Sequence, residues 1–213
     1  MPARPFRPAA QAAMHRPERG PHMTQRVTLV RTETLAENWG RLTRATIDYR
    51  RRDGTVQRLA REIYDHGNGA AMLLHDPARD TVLLVRQFRY PVLHNGDQPD
   101  LLEVCAGLLD GHAPAEAAAR EALEETGHEP HSIRHVGEIY TSPGSLTEKV
   151  SLFIGHYDGS TRRTDGGGLA HEGEEIELVE LPLSEALAML ADGRIVDAKT
   201  IILLQHLALE RLG

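Results

Sequence analysis

Between Gly107 and Gly127 the chain reads GLLDGHAPAEAAAREALEETG, a glycine-bounded loop that opens into a short helix at Pro114. Glu121, Glu124 and Glu125 stand at i, i+3 and i+4 of that helix, so the three carboxylates share one face. A helix carrying such a face is tightly constrained. Each like-charge neighbour costs about 0.2–0.5 kcal/mol. The acids also fall in the last turns before Gly127, which reads as the C′ glycine, where the helix dipole disfavours negative charge. A divalent cation reverses those penalties, and clustered hard oxygens suit Mg2+ or Mn2+. Arg120, beside the first acid, can orient a carboxylate through a charge-assisted hydrogen bond.

The rest of the chain supplies strands around this segment. Val27–Val30 reads as a first strand. Leu42–Tyr49 and Val56–Tyr64 alternate on either side of Asp53-Gly54, a hairpin turn. Further strands are expected at Ala70–Leu74, Thr81–Val85, Leu101–Ala106, Ile133–Ile139, Val150–His156 and Ile176–Leu181. Two helices close the chain, Ser184–Ala191, capped by Ser184 and ended by Gly193, and Ala198–Leu212. No internal repeat interrupts this order. Strands interspersed with a few helices give an α+β fold, a sandwich of layers. Asp158–Gly173, with Gly166-Gly167-Gly168 at its centre, reads as a flexible lid running into Glu172, Glu174 and Glu175.

With 213 residues, 40% of them hydrophobic, the chain can bury one substantial core, and one catalytic domain is the simplest count. A net charge of −7 argues against a general nucleic-acid partner. The single cysteine, Cys105, excludes an intrachain disulfide and sits in the apolar run LLEVCAG, where it reads as inert core. No apolar run approaches the about 18–20 residues needed to span a bilayer, so no membrane partner is expected and a cytoplasmic location fits. Residues 1–22 are rich in Pro, Ala and Arg with one acid, Glu18, and read as a disordered extension rather than a targeting peptide. His112 and His171, isolated from any ligand spacing, read as surface residues. Arg86 and Arg89, in VRQFR, are taken as alternating on one strand face where they could meet phosphates.

The run REALEETG, with Gly107 upstream, resembles the Nudix box, the signature of hydrolases that cleave nucleoside diphosphates linked to another group. Gly107, Arg120, Glu121, Glu124, Glu125 and Gly127 match it. The loop is one residue shorter than the usual box, His112 replaces an upstream Glu, and His128 replaces an apolar residue. The chain is similar to the GDP-mannose pyrophosphatase branch of that family from Met23 onward, through REIYDHGNGA, LVRQFR, CAGLLD, YTSPG, EEIELVELP and DAKTIILL. The resemblance implies an α/β/α Nudix fold over residues 67–213, preceded by an N-terminal β region over residues 23–66 that contacts the partner of a homodimer and contributes to its active site.

It also implies residue roles. Glu121, Glu125, Glu174 and the backbone carbonyl of Ala106 would bind metal, with Glu172 in reserve for Glu174. Glu124 would bind a second metal or hold a water beside it. Arg89 and Lys199 would meet the phosphates. Trp39 would stack on the base, with core packing as the alternative for the only tryptophan. Arg61, Glu62 and Glu148 would contact the nucleotide sugar, while Ala60 departs from the branch's lysine. Pro143 marks the nucleotide-sugar and ADP-ribose branches without separating them. The expected activity is Mg2+-dependent hydrolysis of GDP-mannose to GMP and mannose 1-phosphate, with water as second substrate. The alternatives are ADP-ribose hydrolysis to AMP and ribose 5-phosphate, and a non-catalytic nucleotide-binding module.

Overall fold

The computed structural model describes residues 26–169, 171 and 173–212, so the extension read over residues 1–22 and the reserve acid Glu172 lie outside the described residues. The described chain forms two compact units.

The first unit holds an antiparallel meander of β1 (Val27–Glu37), β2 (Arg41–Arg50) and β3 (Val56–Asp65). The expected Asp53-Gly54 turn is present. Asp53 accepts from the Thr55 amide at 3.0 Å, and Gly54 takes φ +87°. Ser142–Glu148 belongs to the same unit. The Tyr64 amide donates to the Ser145 carbonyl at 2.8 Å, and the Thr147 amide donates back to the Tyr64 carbonyl at 3.2 Å.

The second unit is a mixed sheet with helices on both faces. Its elements are β4 (Gly69–Asp76), β5 (Thr81–Phe88), α1 (Tyr90–His94), β6 (Asp100–Glu103), β7 (Cys105–Leu108), α2 (Pro114–Thr126), β8 (His131–Tyr140), β9 (Lys149–His156), β10 (Ile176–Pro182), α3 (Leu183–Ala191) and α4 (Ala198–Glu210). The strand order is β10-β5-β4-β9-β8, with β6 on β5 and β7 on β4; β4 and β9 run parallel and the other pairs antiparallel. β4 is buried along its whole length, and its period of two feeds two cores. Ala71 and Leu73 join Leu183, Leu203, Leu204 and Leu207 of α3 and α4. Ala70, Met72 and Leu74 join Ala117, Ala118 and Ala122 of α2, together with Cys105, which is fully buried as expected. The three alanines let α2 lie close on the sheet.

Three details differ from the sequence expectation. The segment read as one strand, Leu101–Ala106, is two strands that break at Val104, because the chain there leaves its pairing with β5 and takes up pairing with β4. Ser184 does not cap α3: the helix starts at Leu183, behind Pro182, without a side-chain cap. α1 was not foreseen; its five residues follow Arg89 with Pro91 in the first turn, which Pro favours.

The break at Val104 leaves a backbone N–H outside the strand ladder. It donates to the Thr200 hydroxyl of α4 at 2.8 Å, and that hydroxyl donates to Asp197, the N-cap of α4, at 2.7 Å. One buried hydroxyl thus ties α4 to the strand leading into Gly107. Thr200→Val keeps the shape but strands the Val104 amide. It should cost about 1–3 kcal/mol, read as a lower urea midpoint at unchanged slope; an unchanged midpoint would show that the relay carries no stability.

Candidate active site

α2 carries the acidic face the sequence promised, and its two ends are built as expected. Pro114 stands in the first turn, and Gly127 closes the helix in the left-handed region at φ +75°. Glu121 lies directly over Gly107 of β7. A Cβ on Gly107 would sit inside van der Waals contact of the Glu121 carboxyl, so a side chain there would push that carboxyl from its present place. Arg120 Nη2 donates to Glu121 Oε1 at 2.7 Å and to the Leu108 carbonyl at 3.1 Å, locking that carboxylate against the strand. Glu124 is half-buried on the same face. Glu125, one turn on from Glu121, is 2% exposed.

Burial sets the electrostatics. It pushes the Glu121 carboxyl up to about 7, against the pull of Arg120, with the charges of Glu124 and Glu174 adding to the rise. Burial raises Glu125 well above the carboxylate range, and Glu121 and Glu174 push in the same direction. The Arg89 guanidinium and the backbone at Ala106 oppose that rise. The coupling puts Glu121, Glu125 and Glu174 in one region. As they stand, no three His, Cys, Asp or Glu side chains among the described residues form a group that would hold a metal ion. Glu121 is turned to Arg120, and Glu174 Oε2 accepts the Leu169 amide at 2.9 Å.

Buried polar atoms are nearly always paired in folded proteins, so each exception asks for a reason. In the second unit the buried side-chain atoms without a partner, among the described residues, are Glu125 Oε2 and Arg120 Nε. Both belong to α2, in the acidic region.

Arg89 and Lys199, both expected to face phosphates, converge on an acid the sequence reading passed over. Glu103 is 2% exposed and accepts from Arg89 Nε at 2.7 Å, Arg89 Nη2 at 3.2 Å and Lys199 Nζ at 3.3 Å. Lys199 also bonds Asp197 at 2.7 Å. The signal was available: a glutamate inside the apolar run LLEVCAG must be buried with cationic partners. Arg86 and Arg89 do not share a strand face. Their odd spacing turns them apart, and Arg86 pairs with Glu177 at 3.0 Å.

The segment expected as a flexible lid is, over its described part, bonded to the end of α2. The amides of Arg163 and Thr164 donate to the Gly127 carbonyl, that of Gly167 to the Glu125 carbonyl at 2.8 Å, and that of Gly168 to the Glu124 carbonyl at 3.2 Å. Its glycines are there for positive φ and close backbone approach: +69°, +100° and +78° at Gly166, Gly167 and Gly168. His112 and His171 are exposed, as expected.

The remaining expected residues belong to the first unit. Trp39 is 53% exposed, which excludes the core alternative, and stacks on His66 with ring centroids 5.0 Å apart. Arg61 and Glu62 line an open cleft of ≈ 410 Å³ with Pro143 and Leu146. Glu62 is paired with Arg44 at 2.7 Å, and Arg61 Nη1 donates to the carbonyl of Ala60, the residue that departs from the branch's lysine. Glu148 is half-buried at the end of Ser142–Glu148.

The comparisons with known proteins agree with this arrangement. A family described as the GDP-mannose pyrophosphatase NudK N-terminal domain matches residues 26–64, and the NUDIX domain matches residues 65–204. A GDP-mannose pyrophosphatase of Cronobacter sakazakii is 48% identical over 189 residues, covering 88% of this chain and 97% of its own length. Proteins of the same name from Pectobacterium atrosepticum and Escherichia coli are 46% identical, covering 86% and 89% of this chain and 95% and 99% of their own lengths. A crystal structure of an ADP compounds hydrolase superposes with a TM-score of 0.65 at 21% identity, over 90% of this chain and 98% of that one, a likeness of fold. The acid-bearing α2 over Gly107, the layered sheet and these matches have one reading: the chain belongs to the Nudix family of hydrolases.

Proposed function

We propose that this chain hydrolyses the diphosphate bridge of a nucleoside diphosphate sugar, converting GDP-mannose to GMP and mannose 1-phosphate. The reaction is Mg2+-dependent, and Mn2+ can substitute. The observation that carries the reading is the pair of mutually repelling acids Glu121 and Glu125, the first half-buried and the second buried, in a chain 48% identical to a GDP-mannose pyrophosphatase.

The residues fit a hard divalent cation. Their donors are all oxygen, Glu125 has a buried oxygen without a partner, and burial together with like charge raises the acids Glu121 and Glu125, a penalty that a cation would offset. Glu121, Glu125, Glu174 and the Ala106 carbonyl would hold it. When bound, such an ion neutralises phosphoryl oxygens and acidifies water. Arg120 keeps the Glu121 carboxylate in place against the Leu108 carbonyl. Glu124 would bind a second ion or hold a water beside it. Arg89 and Lys199 receive phosphate charge: Arg89 spends Nε and Nη2 on Glu103, and its Nη1 remains for a ligand oxygen. Trp39 offers an exposed ring to the base, and Arg61, Glu62 and Glu148 contact the nucleotide sugar. Residues 23–66 act as an N-terminal β region and 67–213 as the hydrolase domain, in a cytoplasmic homodimer. Leu29, Val30 and Val56, exposed on the three-stranded sheet, support the dimer.

Turnover of GDP-mannose beside ADP-ribose, at equal low concentration with Mg2+ and with products resolved by mass, tests the substrate. Preference for GDP-mannose yielding GMP is expected; preference for ADP-ribose yielding AMP would keep the acids' role and replace the base assignment. Glu125→Gln should lower Mg2+-dependent turnover by about 100-fold or more. Because its surroundings disfavour its charge, the same change should leave the urea midpoint of the metal-free protein equal or higher. Unchanged turnover would remove Glu125 from the site. Sedimentation at micromolar concentration should show a dimer, and a monomer alone would remove that part of the proposal.

A further inference from the structure

The turn Gly166–Leu169 makes bonds in two directions. Toward α2, the amides of Gly167 and Gly168 donate to the carbonyls of Glu125 and Glu124, two of the last-turn carbonyls a helix leaves without intrahelical partners. A Cβ on Gly166 would come within 2.7 Å of the Glu125 carbonyl oxygen, so the turn lies flush against the helix end. Toward β10, the Gly167 carbonyl accepts the Ile176 amide at 3.2 Å, and the Leu169 amide donates to Glu174 Oε2 at 2.9 Å. A Cβ on Gly168 would meet the same Glu174 Oε2 at 2.7 Å.

We propose that the Gly166–Leu169 turn is a positioning device: by bonding the helix end that carries Glu124 and Glu125 and the carboxylate of Glu174 at once, it sets the separation of Glu174 from the α2 acids and so the affinity of the site for a divalent cation. Glu174 lies on a segment remote in sequence from α2, and its placement against Glu125 depends on this link. The turn spends its glycines on fit rather than mobility. Gly159, in the same loop, has open space around it. By linkage, a turn that organises the site for a cation is itself stabilised when the cation binds. The inference rests on the proposed role of Glu125 and Glu174 in holding that cation.

The test is Mn2+ binding to the full-length protein without nucleotide, followed by electron paramagnetic resonance. Gly168→Ala should weaken binding about tenfold, while Gly159→Ala matches wild type. Added to Glu174→Gln, Gly168→Ala should weaken binding no further, because both act through one carboxylate. A folded Gly168→Ala that binds Mn2+ as wild type does, or effects that add, would overturn the proposal. If Gly168→Ala does not fold, hydrogen exchange of the wild type with and without Mg2+ decides. Slower exchange at Gly167, Gly168 and Leu169, with the Asp158-held Ser160 amide unchanged, supports the link; equal exchange overturns it. Wild type that binds Mn2+ but leaves GDP-mannose intact contradicts the substrate reading alone, whereas failure of wild type to bind Mn2+ sinks the turn and the metal reading together.

Discussion

Glu121 lies against β7 at Gly107, where a side chain would displace its carboxyl, and the close packing of α2 on the sheet goes with that contact. A helix that brings a carboxylate onto the backbone of a strand must itself come close, and the alanines at 117, 118 and 122 give it the room. Close approach takes Glu125, one turn further on, out of water altogether. The strand must then hold its position, and it does so through Val104, whose amide is fixed by Thr200 from the opposite face of the sheet. The site therefore depends on both helical layers, though its acids sit on one.

The same burial explains why the end of α2 needs outside help. Three acids in its last turns oppose the helix dipole and one another. The carbonyls there are satisfied by a backbone segment from beyond β9, whose glycines adopt conformations that other residues rarely enter. Arg163 and Thr164 add their amides at Gly127, where a side chain would collide with the Thr164 carbonyl oxygen. The end of α2 is held by main-chain hydrogen bonds rather than through its carboxylates.

What the sequence disclosed follows a physical division. Local signals were legible: the apolar run of β4, the Pro and Gly bounding α2, the Asp-Gly turn, and the one-face spacing of Glu121, Glu124 and Glu125. Each depends on residues a few positions apart. Long-range pairings were not. Nothing near Glu103 names Lys199, 96 residues away, as its partner, and nothing near Gly167 names the Glu125 carbonyl. The bonds of the Gly166–Leu169 turn were not foreseen because composition reports what glycine permits, not which backbone groups it will meet. The Val104 break was hidden because the apolar run LLEVCAG reads on unbroken through the point where the chain changes strand neighbours.

Three buried acids of the second unit then separate by how they are satisfied. Asp76 is met by two backbone amides and the Arg79 guanidinium. Glu103 is met by Arg89 twice and by Lys199. These are the paired arrangements that burial of charge requires, and they serve the fold by tying loops and helices to strands. Glu125 has the counter-charge of Arg89 set against the like charges of Glu121 and Glu174, with one oxygen unpartnered. A fold that pairs its other acids so fully would gain stability by replacing this one with an apolar residue of similar size. The arrangement makes sense where the missing partner is a ligand.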